Sequence, residues 1–234
     1  MLAGPHPANL VTYAGVAAGV AGLGWAGAGE VALALICLTA AGLADLFDGA
    51  FAGRFQRTAL ERRLGVALDS LADAVCFLAL PAAVTLATGS QPWAWAAATV
   101  YVIAGLTRLA WFDADAHERA AGSEPAAGLA DQSGGPSDPA APSPAVNPEP
   151  ERPAPRLTHY RGLPVTYAAL VAPLAGLAGL AFAPAQLGWL MAGSLLVLAV
   201  LFVWDVPVAK PRGFWNAVLI LVAVGLTAGL AAVR

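Results

Sequence analysis

Residues 31–52 read Val31-Ala-Leu-Ala-Leu-Ile-Cys-Leu-Thr-Ala-Ala-Gly-Leu-Ala-Asp45-Leu-Phe-Asp48-Gly-Ala-Phe-Ala52, and this stretch decides the fold. Its length and apolar character are those of a helix that crosses a membrane. Asp45 and Asp48 interrupt it near its C-terminal end. Because a charged side chain inside a bilayer costs roughly 3 kcal/mol or more, such carboxylates indicate a functional site.

A second acidic segment, Gly65-Val-Ala-Leu-Asp69-Ser-Leu-Ala-Asp73, follows a short basic connection. Residues three or four positions apart share one face of a helix. Two consecutive, antiparallel helices can bring two such faces together at similar depth. The predicted faces are Asp45, Asp48 and Ala52 on the first helix and Gly65, Asp69 and Asp73 on the second.

The composition indicates a membrane protein. Hydrophobic residues make up 59% of the chain and charged residues only 12%, and the mean hydropathy is +0.68, well above that of soluble domains. No basic block suggests a nucleic-acid partner. Cys37 and Cys76 lie in apolar segments without metal-site spacing, so we expect them to be small buried hydrophobic residues.

Seven stretches are long and apolar enough to cross a membrane, and Gly- and Pro-containing junctions separate them. The sequence therefore predicts an all-α, polytopic membrane helical bundle. The predicted spans are 9–28, 31–52, 65–88, 92–112, 163–183, 186–206 and 213–232.

The basic residues predict the orientation, because lysine and arginine accumulate on the cytoplasmic side. With a cytoplasmic N-terminus, every basic residue except Arg234 falls on that side, and the opposite loops contain none. We expect a multi-pass protein of the plasma (inner) membrane with a cytoplasmic acidic site and the C-terminus outside. The basic residues concerned are Arg54, Arg57, Arg62, Arg63, Arg108, Arg119, Arg152, Arg156, Arg161, Lys210 and Arg212.

The chain changes character between the fourth and fifth spans. Residues 120–155 are rich in Ala, Pro, Ser and Gly and contain no aromatic residue. Such a segment cannot bury enough apolar area to offset its chain entropy. Residues 116–158 are therefore predicted to form a disordered cytoplasmic linker.

The acidic cluster contains no histidine or cysteine, which predicts a hard cation such as Mg²⁺ or Mn²⁺. Four carboxylates could hold two ions, the arrangement that clamps both oxygens in a phosphoryl displacement. Mg²⁺ also completes its shell with substrate phosphates. The cluster favours phosphoryl transfer on a membrane substrate. The alternative is a proton relay or an ion-coupling site in a transporter.

The run from Asp45 to Asp73 resembles the signature of the CDP-alcohol phosphatidyltransferases, D-x2-D-G-x2-A-R-x8-G-x3-D-x3-D. Further segments resemble the phosphatidylserine synthase branch of that family. The resemblance implies a six-helix membrane domain over 1–212, interrupted by the linker, and an additional packing or anchoring membrane helix at 213–234. The branch-like segments are Asn9–Thr12, Leu68–Asp73 with Cys76-Phe77, Arg108–Asp113, Tyr160–Thr166 and Lys210-Pro211.

The chain departs from the signature in two respects. Gly53 stands at the position of the signature arginine, and Arg54 follows it. The stretch from Ala52 to Gly65 is three residues longer than the pattern. Both changes fall in a connection between spans, where extra length costs little.

The resemblance implies transfer of the phosphatidyl group of CDP-diacylglycerol to an alcohol, L-serine in this branch, with release of CMP. Asp45, Asp48 and Asp69 would hold the ions at the CDP pyrophosphate. Asp73 would complete the metal set and act as general base toward the serine hydroxyl. A homodimer is also implied. The candidate substrate-binding residues are Asn9, Gly49, Ala52, Arg54, Gly65, Arg108 and Arg161.

Several alternatives remain open at this stage. Asn9 could be a helix N-cap, and Arg108 and Arg161 could extend to lipid headgroups instead of binding substrate. The acceptor could be glycerol 3-phosphate, an inositol phosphate or another alcohol. A catalytically silent scaffold would also carry these motifs.

Overall fold

The computed structural model describes residues 6–89, 91–122, 159–161, 163–204, 207–209 and 214–234. Helices make up nearly all of this part of the chain. They are α1 (Leu10–Gly27), α2 (Val31–Ala52), α3 (Ala59–Asp73), α4 (Leu80–Ala87), α5 (Pro92–Gly122), α6 (Ala168–Phe182), α7 (Leu187–Val203) and α8 (Phe214–Ala232).

The predicted multi-pass helical bundle is confirmed. Within the described residues, seven helical stretches are long and apolar enough to cross a membrane. One of them, Leu60–Ala87, combines α3, a π-helical segment at Ala74–Ala79 and α4. Many large apolar side chains on the outer surface are exposed, such as Phe182 and Leu221, and lipid contact accounts for this. The remaining spans are Pro7–Gly27, Val31–Ala52, Pro92–Asp115, Val165–Phe182, Pro184–Val203 and Trp215–Ala232.

Two local features differ from the sequence prediction. Helix α5 continues to Gly122, so the linker does not begin at residue 116. The Ala-rich stretch favours helix, and glycine is a common terminator. The rest of the predicted linker, 123–158, lies outside the described residues. A short antiparallel pair of strands, β1 (His159–Arg161) and β2 (Pro207–Ala209), also supplements the helices.

Helix α3 begins six residues before the predicted third span because its N-terminus is capped. The Thr58 hydroxyl accepts a hydrogen bond from the Glu61 backbone N–H at 3.2 Å. The Glu61 carboxylate in turn accepts one from the Thr58 backbone N–H at 2.8 Å. This reciprocal capping box satisfies two N–H groups that would otherwise lack partners.

Small residues allow α1 to pack closely against the rest of the bundle. The buried residues of α1 are Gly15, Gly19, Gly22 and Ala26, spaced along one face. A Cβ placed on Gly19 would lie 2.6 Å from the Sγ of Cys76 in the π segment. A larger residue at Gly19 would therefore force either the Cys76 side chain or α1 to shift. Close contact through small side chains is the usual basis of helix association in lipid.

The π segment directly follows Asp73 and is held by α5. The fully buried Tyr101 of α5 donates a hydrogen bond from its hydroxyl to the carbonyl of Phe77. Cys76 in the same segment is buried, as predicted, and its thiol lies 3.5 Å from the carbonyl oxygen of Gly15. π-helical turns often occur at functional sites. Here the turn fixes the helix that carries Asp69 and Asp73.

Replacing Tyr101 by Phe should lower the free energy of unfolding by about 1–2 kcal/mol, because a buried carbonyl loses its donor. Thermal unfolding of the detergent-solubilised protein measures the change. Thr107→Val on the same helix is the control, since the exposed Thr107 hydroxyl bonds only to the Ile103 carbonyl of its own helix. Equal stability of Tyr101→Phe and the wild type would contradict this role of the hydroxyl.

Candidate active site

Three carboxylates from two helices converge on one place. Asp45 and Asp48 of α2 and Asp69 of α3 each offer an oxygen, and the three oxygens lie within 4.8 Å of one another. All three side chains are half-buried. The i,i+3 spacing on α2 puts Asp45 and Asp48 on one face, and the antiparallel path of α3 brings Asp69 opposite them. The predicted meeting of the two acidic segments therefore occurs.

Neighbouring helices contribute hydroxyl groups and a further carboxylate. The Thr12 hydroxyl of α1 donates to Oδ2 of Asp48 at 3.5 Å. On α3, the Ser70 hydroxyl donates to Oδ1 of Asp113 of α5 at 2.8 Å. No role for Asp113 was predicted from the sequence, where it lies just beyond the predicted span 92–112. Its place in the segment Arg108–Asp113, which resembles phosphatidylserine synthases, was the available signal.

A cavity of about 500 Å³ opens beside the carboxylates. This volume lies within the usual range for small-molecule sites. Asp73 and Gly49 line it together with the three clustered aspartates, although Asp73 does not belong to the group whose oxygens lie within 4.8 Å. Apolar residues form much of the remaining wall: Leu43, Leu46, Leu109, Phe112, Leu170, Leu219 and Ala223.

Arg108 is the cationic residue among those that line this cavity. It is only 9% exposed, and its guanidinium carbon lies 5.9 Å from the centroid of the Phe112 ring. An arginine that only extended to lipid headgroups would keep its charged end in the interface. The burial of Arg108 beside four carboxylates instead gives the cavity both signs of charge.

The second half of the chain forms the opposite wall. Thr166 and Tyr167, in the turn before α6, line the cavity, as do Asn216, Leu219 and Ala223 of α8. From the sequence, the last span was expected to be a packing or anchoring helix. Helix α8 does pack against α2 and α6, and its N-terminal part also forms the cavity wall. This second role depends on tertiary contacts, which a hydropathy pattern does not report.

Among the predicted substrate-binding residues whose side chains the structure describes, Asn9, Ala52, Arg54 and Gly65 do not line this cavity. Asn9 is the N-cap residue of α1, but its side chain makes no capping hydrogen bond. A Cβ on Gly65 would lie 3.2 Å from Nη1 of Arg57 and 3.6 Å from Oδ1 of Asn9. Because Gly65 has no side chain, there is room beside it for the side chains of Arg57 and Asn9. Arg54 is exposed after the end of α2, which Ala52 terminates. The backbone of Arg161 lies in β1, and its side chain lies outside the described part of the structure.

The donor set suits a hard divalent cation. Carboxylate oxygens from Asp45, Asp48 and Asp69 are close enough to share one ion, and oxygen ligands suit Mg²⁺ or Mn²⁺. Such ions retain sites for water or substrate phosphate. The adjoining cavity provides the space for such a ligand.

A sequence model of the family described as CDP-alcohol phosphatidyltransferase matches residues 5–131. The match covers more than half of the 234-residue chain. It includes the three clustered aspartates, Asp73 and Arg108. The comparison with curated proteins gives no match.

Replacing Asp48 by Asn should weaken binding of Mn²⁺ about tenfold or more, because the clustered site loses one charged oxygen ligand. Titration of the purified protein with Mn²⁺, followed by electron paramagnetic resonance, measures the affinity. Glu30→Gln is the matched control, since Glu30 precedes the other end of α2. Unchanged Mn²⁺ affinity in Asp48→Asn would show that the cluster does not hold the ion.

Proposed function

The chain belongs to the CDP-alcohol phosphatidyltransferase family, which transfers a phosphatidyl group from a CDP-linked donor to an acceptor, and we propose that its donor is CDP-diacylglycerol and its acceptor L-serine. The products would be phosphatidylserine and CMP. The observation that carries the proposal is the convergence of Asp45, Asp48 and Asp69 within 4.8 Å. The serine branch is supported by the resemblance of Leu68–Asp73 and Arg108–Asp113 to phosphatidylserine synthases.

Asp45, Asp48 and Asp69 would hold the divalent ions, Mg²⁺ or Mn²⁺. A bound divalent ion supplies positive charge to the pyrophosphate of the donor and to the leaving CMP. The two helices orient the carboxylates before substrate binds. Gly49, without a side chain at the cavity wall, leaves room for the nucleotide beside α2.

Asp73 is the proposed general base. It lines the cavity but lies outside the close group of three oxygens, which leaves its carboxylate available for a proton. It would accept the proton of the serine hydroxyl as that oxygen attacks the β-phosphorus, the one that carries the diacylglycerol. General-base catalysis typically contributes 10²–10⁴-fold to a rate.

Arg108 is proposed to bind the serine carboxylate or a substrate phosphate. Its planar guanidinium can donate two parallel hydrogen bonds to either group. Its burial inside the cavity supports this role. Asn9, Ala52, Arg54, Gly65 and Arg161 stay proposed contacts at the entrance of the site, on the family resemblance. A homodimer is proposed on the same basis.

The proposed orientation has the N-terminus and the acidic site on the cytoplasmic side of the plasma (inner) membrane and the C-terminus outside. Arg54, Arg57, Arg62 and Arg63 lie between α2 and the body of α3 and support this assignment. In this proposal serine is cytoplasmic and the CDP headgroup of the donor lipid faces the cytoplasm, so the site would face both substrates.

Purified protein supplied with CDP-diacylglycerol and Mn²⁺ or Mg²⁺ should release CMP only when serine is added, and EDTA should abolish the release. Asp73→Asn should lower the rate about 10²–10⁴-fold because the serine hydroxyl loses its base. CMP and lipid product are quantified for a panel of acceptor alcohols. If Asp73→Asn binds Mn²⁺ about as tightly as the wild type does, Asp73 acts as a base and not as a metal ligand.

Glu30→Gln is the control and should retain full activity. Absence of CMP with every alcohol would contradict the enzyme assignment for this chain. Release with glycerol 3-phosphate but not with serine would contradict the serine branch and leave the phosphatidyl transfer intact.

Single cysteines test the orientation after Cys37 and Cys76 have been replaced by Ala. A cysteine at Glu30 should react with a membrane-impermeant maleimide in intact cells, since the loop between α1 and α2 would face outside. A cysteine at Arg62 should react only after permeabilisation. Labelling at position 62 but not at position 30 in intact cells would contradict the proposed orientation. Both positions are exposed, so labelling reports sidedness.

A further inference from the structure

The geometry points to Asn216 of α8 as the residue that recognises the amino group of the acceptor, through a hydrogen bond accepted by its side-chain oxygen. This inference rests on the proposed function, because it concerns serine as the acceptor. It assigns to the last helix a part in substrate selection.

Asn216 lies on the packed face of α8. Ala223, Leu226 and Leu230 of this helix are buried, and their spacing of three and four residues continues back through Leu219 to Asn216. The opposite side of the helix is exposed, with Leu221 70% accessible. Asn216 therefore faces the bundle as part of a helical periodicity.

Asn216 has a side-chain oxygen that finds no hydrogen-bond partner in the described part of the structure. Its Oδ1 is buried, and among the described residues no group donates a hydrogen bond to it. Leaving a buried polar atom unsatisfied is costly, and a membrane interior provides no compensating water. The same side chain lines the cavity that contains the aspartates and Arg108. A ligand in this cavity would supply the missing donor.

Ligand chemistry decides which substrate group fits. An amide oxygen accepts hydrogen bonds, whereas the phosphates of the donor lipid and the carboxylate of serine offer acceptors only. The cytidine of the donor lipid also carries hydrogen-bond donors, and the KM for CDP-diacylglycerol measured below distinguishes that contact. The ammonium group of serine offers three donors and no acceptor. With Arg108 for the carboxylate and Asp73 for the hydroxyl, Asn216 completes three-point recognition of one small zwitterion in a cavity of about 500 Å³.

The location of Asn216 also suits a residue for selection among acceptors. The family model matches residues 5–131, which include all four aspartates. Helix α8 lies outside this match, and it carries none of the residues proposed above to hold the metal or to act as the base. Substitutions on α8 can therefore change which acceptor is preferred without changing the carboxylates that would hold the metal.

Steady-state CMP release tests the inference with the full-length protein in the presence of Mn²⁺. Asn216→Leu should raise the KM for serine about ten- to a hundredfold, the effect of removing one hydrogen bond to a charged group. The KM for CDP-diacylglycerol should change less than twofold. Asn216→Asp, which keeps an oxygen acceptor for the ammonium, should keep the KM for serine near the wild-type value.

The analogue 3-hydroxypropanoate, which is serine without its amino group, provides the sharpest comparison. Its inhibition constant against serine should be the same in the wild type and in Asn216→Leu. Thr227→Val on the same helix is the matched control, because the Thr227 hydroxyl bonds to the Ala223 carbonyl of its own helix. This control should leave both KM values unchanged. If Asn216→Leu is not recovered as folded protein, Asn216→Ala replaces it.

The outcomes separate the two proposals. A wild-type protein that uses serine, with an unchanged KM for serine in Asn216→Leu or with a raised KM for CDP-diacylglycerol instead, overturns the role of Asn216 and leaves the proposed function standing. A wild-type protein that releases CMP only with an acceptor lacking an amino group overturns both. Equal weakening of 3-hydroxypropanoate and serine would assign Asn216 to the shared part of the acceptor and overturn recognition of the amino group.

Discussion

Three carboxylates within 4.8 Å of one another, inside a bundle that crosses a membrane, set the constraint on which the rest of the structure depends. Two like charges 4 Å apart repel by about 4 kcal/mol at the effective dielectric constant of a protein near its surface. One hydrogen bond to a charged group, such as that from Thr12 to Asp48, returns roughly 1.5–3 kcal/mol at most. Hydrogen bonds alone cannot balance three such repulsions, so the carboxylates must bind either protons or a cation. The proposed divalent cation would supply the positive charge without closing the adjoining cavity.

The packing of the helices determines where that charge can act. Small residues on α1 bring it against the π segment, and the Tyr101 hydroxyl ties the same segment to α5. Asp69 and Asp73 lie on the helix that leads directly into this segment. The carboxylates of α3 are therefore positioned by contacts of the π segment with α1 and α5, which form before any substrate is present. Preorganised charge of this kind requires no rearrangement at the moment of reaction.

The sequence predicts the parts of this arrangement that depend on local patterns. Helical periodicity predicted that Asp45 and Asp48 would face Asp69, and hydropathy predicted seven spans. The same periodicity placed Ala52 and Gly65 on the acidic faces, but the cavity does not extend one further turn to them. Tertiary contacts account for what the patterns missed. The Ser70–Asp113 hydrogen bond joins residues 43 positions apart. Asn216 lines the cavity because α8 packs against α2.

The division of the cavity between the two halves of the chain has a consequence for specificity. The aspartates and Arg108 lie within the residues matched by the family model, and the role proposed for Asp45, Asp48 and Asp69 concerns the pyrophosphate that every CDP-linked donor carries. Thr166, Tyr167 and Asn216 line the same cavity from the other half of the chain. Uniform contacts to the donor lower the barrier for any acceptor, whereas discrimination needs a contact that only one acceptor satisfies. Asn216, whose amide oxygen is buried without a donor among the described residues, would be such a contact. An acceptor molecule that has no group to donate a hydrogen bond would leave the cost of burying this oxygen unrelieved. Under the proposed function, selection among alcohols can therefore change on α8 while the carboxylates that would hold the metal stay the same.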